Sequence, residues 1–287
     1  MPPGKLNLGF IGAGRVGTAL ALGLARAGFR VAAVASRGGK SARTLAGRLR
    51  GARACSAQGV ADSADLVFLA VPDDAIAATA SSIRWRQGQA CVHCSGAAGL
   101  DVLAKAAADG ALPGGFHPLR MFGKAGQDFD LRGYSVAIAG PAALERRLAR
   151  LARSLGAHPL RIPGDGRALY HVAANFSGAF VVGMIDEAVG LLRRIGIREK
   201  DAVLALLPLL RGTVDNIEKL GAAGGLGSAV ARGDVATIRK HLEALREIPE
   251  TLELYRVLSL RTVPVAIAKG TLKPERAKEI RALLSGR

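Results

Sequence analysis

Apolar positions change their period near residue 163. Before it, short apolar runs at 6–11, 30–35, 66–71, 90–94, 114–117, 135–139 and 158–162 read as strands, and 51–55 can add a shorter one. Helical spacing lies between several of them, for example at Val16, Ala19, Leu20, Leu22 and Leu24 and over 142–154. Strands alternating with helices predict a mostly parallel sheet covered on both faces. Beyond 163 the helical period persists. One long buried helix is predicted over 167–195, capped by Asp165 and closed by Gly196, then helices at 199–210, 213–220, 234–246, 249–261 and 274–284. A glycine-rich loop at 221–227 and a turn at 231–234 separate them. The expected organisation is an α/β domain over 1–163 and an all-helical domain over 164–287, packed without a flexible linker.

The first strand runs into Gly9-Phe-Ile-Gly-Ala-Gly-Arg-Val-Gly-Thr-Ala-Leu20. Gly12, Gly14 and Gly17 have G-x-G-x-x-G spacing between a strand and a helix, the context in which this weak motif marks a dinucleotide site. Gly12 permits the tight turn, Gly14 leaves room for a pyrophosphate and Gly17 lets helix and strand pack closely. The N–H groups around Ala13, Arg15 and Val16 then face the phosphates. After the second strand, where an acid normally meets the ribose hydroxyls, the chain has Ser36, Arg37 and Lys40. A carboxylate there would repel a 2′-phosphate, whereas a hydroxyl and cations bind one. The expected cofactor is NADP, with Val71 and Pro72 beside it, and the expected fold is a Rossmann-type doubly wound sheet.

Composition removes several alternatives. The chain has 287 residues, a net charge of +17 and 4% aromatic residues. The basic excess is spread along the chain, without a basic tail, a nucleic-acid motif or aromatics to stack bases, so nucleic acid is not an expected partner. The apolar run 172–192 contains Asn175, Ser177, Asp186 and Glu187, which are costly in lipid, so no membrane is expected. No signal-peptide core precedes the first strand, and a cytoplasmic location is expected. Cys91 and Cys94 fall three apart in a strand and so point to opposite faces, unsuited to one metal or disulfide.

Chemistry is expected at the carboxyl ends of the later strands. Ser95-Gly96 follows one strand, with Ser95 placed to bond a substrate oxygen, and His117 ends the next, placed to orient that oxygen or exchange protons with it. His171 and Asn175, at i and i+4, share one helix face and form a candidate acid/base and orienting pair. Asn216 and Arg232 can contact an anionic substrate or serve as caps and turns.

This order of parts resembles the 6-phosphogluconate dehydrogenase and β-hydroxyacid dehydrogenase superfamily. Tyr170-His-Val-Ala-Ala-Asn175 places His171 where that superfamily has its catalytic Lys and Asn175 at its Asn. His93-Cys-Ser-Gly96, Gly115-Phe-His-Pro-Leu119, Tyr170-His-Val-Ala-Ala-Asn-Phe176, Thr213-Val-Asp-Asn216 and Ala231-Arg-Gly-Asp-Val-Ala-Thr237 are more closely similar to Rossmann-like oxidoreductases whose helical C-terminal domain is of unknown function. The resemblance implies an NADP-binding homodimer paired through a 6-phosphogluconate-dehydrogenase-like all-α domain. Its activity would be hydride transfer between nicotinamide and a carbonyl, imine or hydroxyl carbon of a small polar metabolite. The alternative is an NADP-binding sensor or scaffold without turnover.

Overall fold

The computed structural model describes residues 6–123, 130–163 and 166–286. Eight strands form one sheet: β1 (Asn7–Ile11), β2 (Arg30–Ala35), β3 (Arg53–Ala54), β4 (Leu66–Leu69), β5 (Ala90–His93), β6 (Leu112–Pro118), β7 (Ser135–Ala139) and β8 (His158–Arg161). Their order is β3-β2-β1-β4-β5-β6-β7-β8. Every pair is parallel except β6 with β7. The strand order reverses beside β1, and crevices for ligands form at such switch points.

Helices α1 (Arg15–Arg26), α2 (Lys40–Ala46) and α6 (Ala142–Ser154) contribute to the core on one face, while α3 (Ala57–Ser63), α4 (Ile76–Ser81) and α5 (Ala104–Ala108) contribute to that on the other. In β4, Leu66 and Phe68 enter the first core and Val67 and Leu69 the second, which is why this strand is apolar throughout rather than alternating. Cys91 and Cys94 likewise lie in opposite cores, both buried and free.

The helical half comprises α7 (Arg167–Ser177), α8 (Ala179–Arg194), α9 (Glu199–Gly225), α10 (Val235–Ala244), α11 (Pro249–Ala268) and α12 (Pro274–Leu284). Packing divides the chain into Met1–Ala179 and Phe180–Arg287, so α7 belongs with the first unit. The single helix expected over 167–195 is two helices, because Gly178 leaves helical geometry at φ −124° and ψ −86°. Asp165, its expected cap, lies outside the described residues.

The expected burial of this segment is also corrected. Val189 is its only buried residue in α8, while Val182 is 64% exposed. Its apolar side has little cover among the described residues, and the span Arg167–Arg194 is long and apolar enough to cross a membrane by length and composition. The helices expected at 199–210 and 213–220 are one, and α9 kinks at Gly221, whose φ of 73° and ψ of 171° are non-helical, before a short last turn within the expected glycine loop. Helix α11 runs past residue 261 and through Pro264 to Ala268.

At the centre of the sheet, Phe68 stacks on Phe10 at 4.9 Å and meets Phe116 edge-on at 5.5 Å. All three are fully buried. Phe68→Ala is expected to destabilise the protein by about 3–5 kcal/mol, read from urea unfolding.

Candidate functional site

The β1–α1 turn is built from backbone contacts. Gly12 has φ +105°, and a β-carbon on it would lie 2.2 Å from the Ala70 carbonyl oxygen. One on Gly17 would lie 2.0 Å from the Gly12 carbonyl oxygen. Gly14 has open space beside it and caps α1 without a side chain, and the first turn of α1 contains no acid. Free N–H groups and the positive end of the helix dipole are therefore available to an anion.

A cleft of about 770 Å³ adjoins this turn. It is lined by Gly12, Ala13, Gly14, Ser36, Arg37, Lys40, Val71 and Pro72 among others, and its only charged lining residues are Arg37 and Lys40. Both are exposed. Ser36 accepts the Ala42 N–H at 3.0 Å, which fixes the corner that bears the two cations. The Arg43 guanidinium reaches over Gly39 in the same corner, an additional cation that the sequence reading did not single out. Arg15 is exposed and donates to the Phe122 carbonyl at 3.3 Å, while Val16 and Gly17 lie behind the turn, outside the cleft lining.

The strand that supplies Val71 and Pro72 leads on to Asp73. Its Oδ2 accepts the Ser95 hydroxyl at 2.6 Å, and Ser95 Oγ accepts the N–H groups of Ala97 and Ala98 at 3.1 and 2.9 Å. Ser95 thus holds its loop in shape instead of presenting a free hydroxyl. The next residue, Gly96, lies where a β-carbon would approach His171 Cδ2 at 2.7 Å and His117 Nε2 at 3.0 Å. Omitting that carbon lets two imidazoles close over the loop, with ring centroids 6.3 Å apart. His117 Nδ1 is 2.8 Å from Tyr170 Oη. Ser95, Gly96, His117 and His171 are therefore brought together.

The other candidates have different surroundings. Asn175 donates to the backbone carbonyl of His171 at 2.9 Å, not to its ring. In the second unit, Asn216 is exposed on α9, and Arg232 is exposed in the turn before α10, which Asp234 caps. Three residues of the first site, Arg167, Tyr170 and His93, were not assigned roles from the sequence. Arg167, Tyr170 and His171 share a helix face by their i, i+3, i+4 spacing, a signal present in the chain but masked by the usual exposure of a lone arginine. The third, His93, is fully buried.

Burial sets the charge states here. It pushes His117 down to about 4, assisted by Arg167 and His171, and pushes His93 down to about 4, assisted by Arg167. Burial raises Tyr170 to about 12 against the opposing pull of Arg167, and lowers Arg167 from its usual value. Near neutral pH both His93 and His117 are neutral.

Residues 1–118 match the Rossmann-like domain family, and residues 134–262 match DUF2520, a domain of unknown function. The chain thus carries a Rossmann-like domain followed by a DUF2520 domain. Among solved structures it is similar to the candidate NADP oxidoreductase BF3122 from Bacteroides fragilis, with 26% identity and a TM-score of 0.71, covering 90% of this chain and 97% of that one. Protein TM1727 from Thermotoga maritima shares 22% identity with a TM-score of 0.76, covering 91% and 99%. A reductive aminase from Aspergillus terreus in complex with NADPH and ethyl-5-oxohexanoate shares 16% identity with a TM-score of 0.62, covering 98% and 93%. No curated protein matches the chain by sequence.

A histidine that stays neutral in the folded protein but protonates when unfolded makes unfolding take up protons. The sign follows: stability is undiminished above the ordinary value of 6.5 and falls as pH drops towards about 4. Each histidine contributes a slope of up to about 1.4 kcal/mol per pH unit in that window. His117→Asn is expected to flatten the loss by one such share, measured by urea unfolding across the window.

Proposed function

We propose that this protein is an NADP-dependent oxidoreductase that reduces a carbonyl or imine carbon of a small polar metabolite, or oxidises the corresponding hydroxyl. The observation that carries the reading is the acid-free cleft, which combines a glycine turn, the N-terminus of α1 and the cations Arg37 and Lys40. The open space at Gly14 suits a pyrophosphate, and the cationic corner suits a 2′-phosphate. The similarity to the NADPH-complexed reductive aminase supports the same assignment.

A nicotinamide held by the glycine turn and the Arg37–Lys40 corner would supply the hydride. The chain's own residues have the remaining tasks. Val71 and Pro72 line the cleft, and Asp73, next in sequence, fixes the Ser95–Ala98 loop. Over that loop, β6 and α7 present His117 and His171 to one another. His171 gives the proton that the substrate oxygen or nitrogen gains as its double bond to carbon breaks. His117, neutral and linked to Tyr170, orients that atom. Asn175 steadies the helix by its bond to the His171 carbonyl.

The second unit carries the dimer surface in this reading. Leu204 and Leu209 on α9 are 61% and 69% exposed, and exposed apolar residues also occur on α8 and α11. Faces of this extent are those that a second copy covers. Asp186 and Glu187 interrupt the apolar face of α8, and Glu187 accepts the Thr251 hydroxyl, an arrangement suited to a protein interface and a cytoplasmic setting. Sedimentation of the purified protein is expected to give twice the chain mass.

Two charge-assisted bonds to the additional phosphate, at about 1.5–3 kcal/mol each, predict a preference for NADPH over NADH of roughly a hundredfold or more. Fluorescence titration is expected to show it, and Arg37→Glu is expected to abolish it. His171→Ala is expected to leave NADPH affinity intact and lower turnover by about 10²–10⁴. NADPH binding without oxidation across carbonyl and imine panels would instead identify a sensor.

A further inference from the structure

Arg167 carries a permanent positive charge that no described group neutralises. It is 3% exposed, its Nη2 donates to the Ser95 carbonyl at 2.6 Å, and its Nε and Nη1 have no partner among the described residues. The carboxylate that acts on it is Asp73, whose Oδ2 already accepts the Ser95 hydroxyl. His93 is fully buried and interacts with the backbone of Gly99, though neither ring nitrogen meets strict hydrogen-bond geometry among the described residues.

The sheet brings these groups together. β5 and β6 pair His93 with Gly115, and the Arg167 guanidinium lies over Gly115, with Nη1 2.8 Å from where a β-carbon would stand. Side chains two apart on a strand share a face, so the guanidinium lies on the same side of β6 as His117, about 7 Å along the strand. The half-buried His117 and His171 stand at the outer end of that face.

A buried cation without an anion is costly, and an apolar side chain of similar size in its place is often neutral or stabilising. The fold gains one hydrogen bond to the Ser95 carbonyl from this arginine, while its other donors lack partners among the described residues. A ligand bearing an anionic group changes the balance, because attraction is strong where water is excluded and the guanidinium plane matches a carboxylate.

We propose that Arg167 anchors a carboxylate of the substrate, so that the compound reduced is a small 2-oxo or 2-imino acid. This rests on the NADP-dependent reading, and it narrows that reading to acids. In such an acid the reacting carbon is bonded directly to the carboxylate carbon, so an anchor at Gly115 directs it along β6 towards His117 and His171. Because Gly115 has no side chain, the guanidinium takes the space that a β-carbon would fill and lies directly against β6.

The test uses the full-length protein saturated with NADP⁺, which cannot reduce an oxo acid, so that calorimetric titration and melting temperature report binding alone. The probes are pyruvate, 2-oxobutanoate, 2-oxoglutarate and the uncharged methyl ester of pyruvate. At least one acid is expected to bind and raise the melting temperature, and the ester is expected to do neither. Arg167→Met is expected to keep or raise the melting temperature of the ligand-free protein and to weaken acid binding by about tenfold to a hundredfold. Arg167→Lys, which retains charge but loses the planar fork, is expected to fall between. Absence of acid binding to the parent protein, equal binding of acid and ester, or undiminished binding by a folded Arg167→Met protein would overturn the proposal. Failure of NADP⁺ itself to bind would instead overturn the cofactor assignment, and it is detected in the first titration.

Discussion

The first crossover packs backbone against backbone more closely than a β-carbon allows. Gly17 meets the carbonyl of Gly12, and Gly12 meets the carbonyl of Ala70. Two further bonds extend that junction, from Gly12 N–H to the Ala35 carbonyl and from Ala70 N–H to the Ile11 carbonyl, at 2.9 and 2.8 Å. The ends of β1, β2 and β4 are thereby joined at one place. The cationic corner starts immediately after Ala35, and Val71, Pro72 and Asp73 start immediately after Ala70. A displacement at the glycine turn therefore reaches both the phosphate-facing corner and the aspartate that holds Ser95. Cofactor geometry and loop geometry share one origin in the contact between α1 and the centre of the sheet.

The second arrangement is electrostatic, and it runs against the composition. A chain with net charge +17 has ample cations for its surface, yet one arginine is buried beneath the histidines. Its effect on them has the same sign as burial, and both keep His93 and His117 unprotonated. A neutral imidazole retains one donor and one acceptor nitrogen, whereas the imidazolium offers donors alone. His117 can therefore hold Tyr170 through Nδ1 and present Nε2 beside His171. The stability forfeited by an unpaired charge is carried by large alanine, valine and leucine cores on both sheet faces, in a protein with few aromatic residues.

Much of the α/β unit was legible in the sequence because its signals are local. The strand at 135–139 and the helix at 142–154 fall where periodicity puts them, and a turn governed by three glycines needs no distant partner to be recognised. The helical half was less legible. Gly178 breaks a helix whose apolar period continues across it, which the periodicity hid, whereas the break at Gly221 falls where the glycine-rich stretch was expected to begin. Site residues divided on the same principle. Ser95, His117 and His171 stand at strand ends and on a helix face, where position alone marks them. Arg167 escaped notice because its significance lies in what it lacks after folding, a property that spacing does not encode. The Ser95 hydroxyl seemed free for a substrate because Asp73, its partner, is 22 residues away in sequence.

The two faces of α7 link these observations. Its inner face carries Arg167, Tyr170 and His171 against the ends of β5 and β6, while Leu169 and Phe176 on its other side are 76% and 63% exposed. An amphipathic helix is normally held by its apolar stripe. Here the stripe is outward and polar or charged groups face the sheet, so the inner contacts are a few hydrogen bonds and one buried guanidinium. Such contacts fix direction well but supply little apolar burial, and Gly178 separates the helix from α8 just beyond them. The position of His171 is therefore constrained from inside by the sheet, and cover over Leu169 and Phe176 would constrain it from outside. The histidine and the apolar stripe thus meet on one eleven-residue helix, where covering one side would also fix His171 on the other.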